Sequence, residues 1–246
     1  MRTDTTQRAV LRTLRLGHWV LTGAAKRLAR ESWHPRRSTN RVLRTYLPAF
    51  GGEVINVSGW EDSDKEGSFY REYFGPHTRY VVSNIEGETG MPETAPDGVE
   101  LVYVDLDQPL PAALHAEFDV VFSHTVAEHV FDPHRTFETM VALTRDVVAC
   151  VVPFSQGVHY TASYGDYVRL TPLFLKRFFE ERDFTVLLCW SNDQPFLPVY
   201  TVFIASREPS RYTSLFAGAP LDFAPQLTGG RWGKRVFTGL NMPADE

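Results

Sequence analysis

The amino-acid sequence predicts an α/β fold, in which a mostly parallel sheet of seven strands with an antiparallel last strand carries helices on both faces. Short apolar runs that suit strands alternate along the chain with segments of helical periodicity, the pattern of right-handed strand–helix–strand crossovers. The last two runs are separated by a short polar loop without room for a crossover helix, so we expect them to pair antiparallel. The seven runs lie near residues 53–57, 80–83, 99–104, 118–122, 147–152, 184–189 and 200–205.

Two helices are predicted in the second half of the chain, at 133–144 and 172–182. Each opens with a proline, which is tolerated in the first turn because the amide hydrogen that it lacks would have no helical partner there. Thr171 directly precedes the second helix, where a threonine side chain can cap the free amide groups. Both segments therefore carry a start signal in addition to their periodicity.

Composition and hydropathy place the chain among globular proteins. At 246 residues, 43% hydrophobic and 22% charged, it suits one large domain or one domain with extensions. No apolar run approaches the roughly 20 residues that cross a bilayer, and the N-terminus lacks the apolar core of a secretory signal. The two cysteines, Cys150 and Cys189, lie in apolar strand-like runs and are interpreted as buried thiols in a reducing compartment. The expected location is the cytoplasm.

Positive charge is concentrated at the N-terminus, where residues 1–46 hold eleven lysines and arginines against two acidic residues. The periodicity of residues 6–30 predicts a basic amphipathic helix, and residues 34–38 are interpreted as a linker. The helix either contacts the anionic inner face of a membrane, as a peripheral attachment, or caps the domain with its charged face in water. No nucleic-acid partner is expected, because aromatic residues are not interleaved with the basic ones. We predict a basic helical extension at 1–46, a central domain at 47–206, and a C-terminal extension at 207–246 that packs on the domain or moves over it.

Several ligand-binding motifs are absent from the sequence. It has no G-x-x-x-x-G-K-[ST] phosphate loop, no G-x-S-x-G nucleophile turn and no G-x-G-x-x-G nicotinamide fingerprint. His124, His129 and His134 recur at intervals of five residues, but Pro133 begins a new helix, so the three do not share one helical face. No metal site is therefore expected.

The segment 118–135 holds the densest group of candidate functional residues. A strand-like run is followed by a polar loop, and Glu128 and His129 then lie shortly before the helix that Pro133 opens. Ligand sites of open α/β sheets form where strands end in such loops. The loop after this strand is therefore expected to line a binding site.

Four segments of the chain resemble class I S-adenosylmethionine (SAM) methyltransferases, in particular the type 11/12-like members associated with glycan biosynthesis. Residues 53–60 stand in the place of the family's first strand and glycine-rich loop, 79–86 in that of the second strand, and 102–132 in that of the third and fourth. Residues 152–172 contain a Val-Pro-Phe strand end, a histidine loop and an Asp-Tyr-x-Arg-x-Thr-Pro helix entry. The resemblance extends over residues 51–205 and implies a Rossmann-like fold with SAM as the cofactor.

The resemblance also implies how the cofactor is held. Asp105 is expected to hydrogen-bond the adenine amino group, and Asn84 or Glu86 is expected to meet the ribose hydroxyls. The loop after the first strand is expected to face the methionine end; Gly59 is the only glycine in its turn, so the family's glycine-rich pattern is degenerate here. The implied cofactor-binding residues are Asn56, Ser58, Gly59, Asn84, Glu86, Asp105, Leu106, Ser123 and His124.

An acceptor side of the site is implied in the same way. His159, and after it His129, is the expected catalytic base, because imidazole titrates near neutral pH and can take a proton from a hydroxyl. Asp166 and Arg169 either clamp a polar substrate or pair with each other to hold their loop. The expected substrate-binding residues are Glu128, Tyr164, Asp166, Tyr167 and Arg169.

Two functions are open on the sequence. The first is SAM-dependent O-methylation of a sugar, a glycan or a related small molecule. The alternative is a catalytically inactive protein of the same fold that serves as a binding or scaffolding partner in a biosynthetic complex. The degenerate loop and the asparagines Asn56 and Asn84, which stand where the family has carboxylates, favour the alternative; Asp105, Glu128 and His129 favour the enzyme.

Overall fold

The structure, a computed structural model, describes residues 35–87, 99–161, 164–192 and 199–223. Within these ranges the α-helices are α1 (Pro35–Tyr46), α2 (Pro133–Leu143) and α3 (Pro172–Glu180). The strands are β1 (Gly52–Asn56), β2 (His77–Asn84), β3 (Glu100–Tyr103), β4 (Phe118–His124), β5 (Thr144–Ser155), β6 (Thr185–Ser191) and β7 (Val199–Ser206). Short 3₁₀ turns connect several of them.

The seven strands form one sheet in the order β3-β2-β1-β4-β5-β7-β6. Strands β1 to β5 pair parallel, and β7 lies antiparallel between β5 and β6. The predicted seven-stranded, mostly parallel sheet with an antiparallel last strand is confirmed. The strand order reverses between β1 and β4, so the loops that leave their carboxyl ends diverge and open a crevice.

The hydrophobic core lies in two layers, one on each face of the sheet. Successive residues of a strand point to opposite faces, so Val121 and Val148 pack in one layer whereas Val120 and Val147 pack in the other. Helices α2 and α3 cover the first layer, and α1 covers the second together with 3₁₀ turns. The prediction of helices on both faces is confirmed.

The two predicted helices begin at Pro133 and Pro172, as expected from their prolines. The Asp132 side chain accepts a hydrogen bond from the amide of Arg135 at the start of α2, and Thr171 does the same for Phe174 at the start of α3. Both helices end earlier than predicted. Thr144 already belongs to β5, because its hydroxyl bonds to backbone carbonyls of the neighbouring strand.

Helix α1 corrects the interpretation of residues 34–38 as a linker, since it begins at Pro35. Leu43 of this helix is fully buried in the second core layer. Arg36, in its first turn, hydrogen-bonds to Thr125 directly after β4. The helix therefore packs on the sheet and places Arg36 at the edge where the parallel strands end.

Some expectations concern residues outside the described ranges, among them the amphipathic helix at 6–30 and its membrane contact. The described part of the C-terminal extension packs on the second core layer, where Tyr212 and Phe216 lie 4.9 and 5.6 Å from the ring of Phe50. Among the described helices, none is both long enough and apolar enough to cross a membrane.

Candidate cofactor and acceptor site

A cavity of about 600 Å³ opens at the carboxyl ends of the parallel strands. Loops that follow each of β1 to β5 contribute to its wall, together with the first turn of α1. Ten of the residues selected from the sequence line it: Asn56, Ser58, Gly59, Asp105, Leu106, His124, His129, His159, Tyr164 and Tyr167. Six do not: Asn84, Glu86, Ser123, Glu128, Asp166 and Arg169.

The loop after β1 is a tightly folded turn in which Gly59 has no room for a side chain. A Cβ atom at Gly59 would lie 2.6 Å from Nδ2 of Asn56. The Gly59 amide donates to the carbonyl oxygen of Ser83 at 3.0 Å, which ties the turn to β2. Ser58 and Trp60, on either side, adopt left-handed backbone conformations with φ of 52° and 54°. The turn therefore reaches its shape with one glycine and with strained neighbours.

Asp62 holds this loop from inside the protein. Its carboxylate is fully buried and accepts hydrogen bonds from Asn56 Nδ2 at 2.8 Å and from the Tyr80 hydroxyl at 2.7 Å. The amide of Arg71 donates to the other oxygen at 3.1 Å. Burial raises the pKa of Asp62, while the hydrogen bonds from Tyr80 and Asn56 oppose this shift. The acidic run after Gly59 is thus a structural part of the loop.

Asp64 fixes the far end of the same loop. It is fully buried and accepts hydrogen bonds from the Tyr73 hydroxyl at 2.7 Å and from Arg44 Nη2 of α1 at 2.9 Å. The loop is therefore attached both to the sheet and to α1. Ser63, which lies between Asp62 and Asp64, and Lys65, which follows Asp64, line the cavity.

Three residues expected at the cofactor lie behind or beside the cavity wall. The Asn84 side chain is buried, and its Oδ1 accepts a hydrogen bond from the amide of Trp60 at 3.0 Å, so it supports the loop after β1. Ser123 is buried and does not line the cavity, while Glu86 is exposed outside it. A ribose contact from Asn84 or Glu86 stays a prediction.

Asp105 lies at the cavity wall where the sequence places the adenine contact. It follows β3, and its Oδ1 accepts a hydrogen bond from the amide of Asp107 at 2.8 Å. This bond closes a local turn and leaves the second carboxylate oxygen for a ligand. Leu106 is buried beside it and offers an apolar surface to the same part of the cavity.

His124 is held in a buried cluster with Arg36 at the cavity wall. Arg36 Nη1 lies 3.3 Å from Nδ1 of His124 and donates to the hydroxyl of Tyr70 at 3.1 Å. The Thr39 hydroxyl donates to the Arg36 carbonyl, so its oxygen accepts from Nε2 of His124 at 3.5 Å. His124 is therefore neutral with its hydrogen on Nε2. Burial, and then the charge of Arg36, lower the pKa of His124 well below 6.5.

A pH dependence of stability follows from His124. Since its folded pKa is lowered, the unfolded state binds a proton that the folded state does not once the pH falls below 6.5. The free energy of unfolding is expected to fall as the pH is lowered from there, by up to about 1.4 kcal/mol per pH unit for this one proton. Urea unfolding at a series of pH values should show a smaller slope for His124→Asn than for the wild type. His115→Asn, at an exposed position, is the control; equal slopes for the wild type and His124→Asn would contradict the assignment.

Two imidazoles face each other at the opposite end of the cavity. The rings of His129 and His159 are 4.9 Å apart and nearly perpendicular, and the Tyr164 ring lies 4.5 Å from that of His129. His129 donates from Nδ1 to the Gly165 carbonyl at 2.6 Å, which leaves Nε2 with a free lone pair. Burial, as the largest cause, lowers the pKa of His129. The two histidines expected as bases are thus brought together.

The Asp166–Arg169 pair holds the loop that carries His159. Arg169 donates to both Asp166 oxygens, with a distance of 2.6 Å from Nη2 to Oδ2, and also to the Gln156 carbonyl. These hydrogen bonds lower the pKa of Asp166 to about 2. The same Oδ2 accepts from the amide of His159 at 2.7 Å and lies 3.1 Å from its Nδ1. Of the two expected roles, the geometry favours the pairing that orders this loop.

Glu128 lies directly beneath the two imidazoles. Its side chain is 1% exposed, and neither carboxylate oxygen has a hydrogen-bond partner among the described residues. One oxygen is 3.7 Å from Nε2 of His129. Burial raises the pKa of Glu128 to about 7. A buried carboxylate without a hydrogen bond is rare in folded proteins, so Glu128 lacks a partner that such a group normally has.

Arg36 and Trp60 are among the wall residues that sequence reasoning missed. Arg36 was assigned to a linker, and its approach to His124 depends on how α1 packs, which local periodicity does not reveal. Trp60 lines the cavity, is 38% exposed and directly follows Gly59, at a position where the family's glycine-rich pattern predicts no aromatic contact. An aromatic residue directly after a strand-end turn was the available signal.

Comparisons with known proteins find similarity at the level of structure only. No protein-family model matches the chain, and no curated protein matches it. A 1,6-didemethyltoxoflavin-N1-methyltransferase from Burkholderia thailandensis is 16% identical, with 84% of this chain and 91% of that chain covered and a TM-score of 0.49. A SAM-dependent methyltransferase from Mesorhizobium loti is 13% identical (68% and 96% covered, TM-score 0.46). Magnesium protoporphyrin IX methyltransferase from Synechocystis PCC 6803, solved with bound SAM, is 11% identical (70% and 79% covered, TM-score 0.47).

At these identities the similarity concerns the fold and not the ligand or the activity. The fold rests on the strand order and strand directions of the chain itself. The chain is a Rossmann-like α/β protein with an antiparallel seventh strand, and its candidate site lies at the carboxyl edge of the sheet where the strand order reverses.

Proposed function

We propose that the cavity binds SAM and that the protein transfers its methyl group to a hydroxyl of a sugar, a glycan or a related small molecule. The main support is that a single cavity is lined by the loop of Gly59, the turn of Asp105 and the two imidazoles, at the place where the strand order of the sheet reverses. Ligands of open α/β sheets bind at this place. Its volume of about 600 Å³ suits a nucleoside cofactor together with part of an acceptor.

The cofactor is proposed to lie along the wall from Asp105 to Arg36. The carboxylate of Asp105 accepts a hydrogen bond from the adenine amino group, and Leu106 packs against the adenine ring. The methionine end then reaches the turn at Gly59, where Arg36 supplies a positive charge for the α-carboxylate. Charge-assisted hydrogen bonds of this kind are about twice as strong as neutral ones.

The acceptor is proposed to enter at the histidine end of the cavity. Methyl transfer is an in-line displacement, for which positioning supplies much of the rate, and a hydroxyl acceptor must also lose its proton. His159 and His129 line this end and are the candidate proton acceptors. Tyr164 and Tyr167 offer aromatic surfaces of the kind on which sugar rings stack.

Calorimetric titration with SAM and with S-adenosylhomocysteine tests the proposal. Both ligands are expected to bind with one site per chain, and Asp105→Ala is expected to weaken both by about tenfold or more, because a hydrogen bond to a charged group is lost. Glu180→Ala, on the exposed side of α3, is the matched control and should bind as the wild type does. Absence of binding at millimolar ligand would refute the enzyme and favour the scaffolding alternative.

Arg36→Gln tests where the methionine end lies. The variant is expected to bind S-adenosylhomocysteine about 10- to 100-fold more weakly, because the carboxylate loses a charge-assisted partner. Adenosine, which has no carboxylate, should bind both proteins equally in the same titration. Arg37→Gln is the control, since Arg37 on the same helix lies 3.4 Å from Glu66 and does not line the cavity. An equal loss for adenosine would show that Arg36 acts through the fold and not through the carboxylate.

A further inference from the structure

The most unusual group of the molecule is the buried carboxylate of Glu128 and the two imidazoles next to it. Glu128 is 1% exposed, and neither of its oxygens is hydrogen-bonded within the described residues. His129 and His159 approach it from the cavity side. A buried anion requires compensation by hydrogen bonds or charge. Among the described side chains, none donates a hydrogen bond to Glu128, and the charges of Arg169 and Arg36 act on it without direct contact.

The donor atoms of these three residues are arranged around one point. One ligand atom of each lies within 4.8 Å of the other two, and the Glu128 oxygen is 3.7 Å from Nε2 of His129. A divalent ion with bonds of about 2.0 to 2.2 Å holds its ligands about 3 to 3.5 Å apart. Closure by about 1 Å, within reach of side-chain rotation, would bring all three to that spacing.

The imidazole of His129 has the outer hydrogen bond that metal ligands use, and the imidazole of His159 has a carboxylate close to one nitrogen without a hydrogen bond between them. His129 donates from Nδ1 to the Gly165 carbonyl at 2.6 Å, so the lone pair of Nε2 faces Glu128. His159 lies against the ionised Asp166, whose oxygen is 3.1 Å from Nδ1. A backbone carbonyl or a carboxylate on the second ring nitrogen is the usual partner of a metal-binding histidine.

We infer that Glu128, His129 and His159 form a binding site for a divalent transition-metal cation, with open coordination positions toward the cavity. Two imidazoles and a carboxylate are a ligand set that suits zinc and non-haem iron, and three protein ligands leave room for a substrate. No metal is expected from the sequence alone, because His124, His129 and His134 do not share one helical face. The ligand that completes the set lies on the loop after β5.

The role of the ion rests on the proposed function. A cation at this position would coordinate the acceptor hydroxyl and lower its pKa, so that its proton would pass to solvent water in the open cavity. The oxygen would then attack the methyl carbon of SAM, and S-adenosylhomocysteine would leave. With the ion bound, His129 and His159 would hold the cation instead of taking the proton themselves. Binding of the ion itself requires neither SAM nor turnover, so it can be tested separately.

Metal titration of the full chain tests the inference. After dialysis against a chelator, the protein is titrated with Zn²⁺ by calorimetry and with Co²⁺ by its ligand-field absorption. One ion per chain is expected at this site, with bands of a low-symmetry Co²⁺ complex containing nitrogen ligands. Glu128→Gln, which keeps the shape and removes a buried charge, and His159→Ala should each weaken binding by about 100-fold. His115→Ala, at an exposed position, is the control.

The outcomes separate this site from the proposed function. Unchanged Zn²⁺ affinity in Glu128→Gln and His159→Ala, or no binding by the wild type, overturns the inference. S-adenosylhomocysteine is titrated into the same chelated protein. If it binds while Zn²⁺ does not, the metal site fails and the methyltransferase proposal stands. If Zn²⁺ binds through Glu128 while the cofactor product does not, the site stands and its role in methyl transfer fails.

Discussion

Asp62→Ala is expected to destabilise the protein by about 3 to 5 kcal/mol, the range found when one partner of a buried charged network is removed. The carboxylate is the shared acceptor of Asn56 Nδ2, the Tyr80 hydroxyl and the Arg71 amide. Without it, Asn56 and Tyr80 keep buried donors that have lost this acceptor, at about 1 to 3 kcal/mol for each unsatisfied group. The loop after β1 would also lose its internal anchor, so cofactor binding should fall with stability.

Urea unfolding measures this effect against two matched variants. Asp62→Asn keeps an oxygen that can accept from Asn56 and Tyr80, so it should lie between alanine and the wild type. Glu61→Ala removes an adjacent, exposed carboxylate and should change the free energy of unfolding by less than about 0.5 kcal/mol. Equal effects of Asp62→Ala and Glu61→Ala would contradict a structural role for the acidic run.

Gly59→Ala is expected to impair both the stability of the loop and cofactor binding. The added Cβ would lie 2.6 Å from Nδ2 and 2.7 Å from Cγ of Asn56. Asn56 is 2% exposed and is held by its hydrogen bond to Asp62, so it has little freedom to move away. Overpacking of this kind typically costs about 1 to 3 kcal/mol. We expect at least about a tenfold loss of S-adenosylhomocysteine affinity, because the loop shifts away from the cofactor.

Gly157→Ala provides the control for this substitution. A Cβ at Gly157 meets no atom within 4 Å and the residue does not have a left-handed backbone conformation. Both the unfolding free energy and the affinity should stay near the wild-type values. Wild-type affinity in Gly59→Ala would mean that the single glycine of the degenerate loop is not needed for close approach of a ligand.

Most of the frame was predictable because it is encoded by local patterns. The continuous apolar runs of β4 and β5 predict central strands, and Pro133 and Pro172, the latter preceded by Thr171, mark the beginnings of α2 and α3. Asp105 and His129 could be placed at one edge because the carboxyl ends of parallel strands share it. In each case the signal lies within a few residues of the element that it determines.

The parts that were not predicted depend on contacts between distant residues. Arg36 reaches His124 only through the packing of α1, and the sequence around it resembles a linker. Asp62 accepts a hydrogen bond from Tyr80 on β2, a contact between distant residues. Local sequence therefore shows only that the glycine pattern is interrupted, and not that Asp62 anchors the loop. Glu128 and His159 are separated by the whole of α2 and β5, which is why their proximity carries no sequence signature.

The central claim is that SAM occupies the cavity with its adenine at Asp105 and its methionine carboxylate at Arg36. A crystal structure of the protein with S-adenosylhomocysteine at saturating concentration tests this claim most directly. We predict that the adenine amino group lies within hydrogen-bonding distance of the Asp105 carboxylate and that the amino-acid end lies at the turn of Gly59. The sulfur is expected to point toward His129 and His159. An empty cavity at saturating ligand, or a ligand bound away from Asp105 and Arg36, would contradict it.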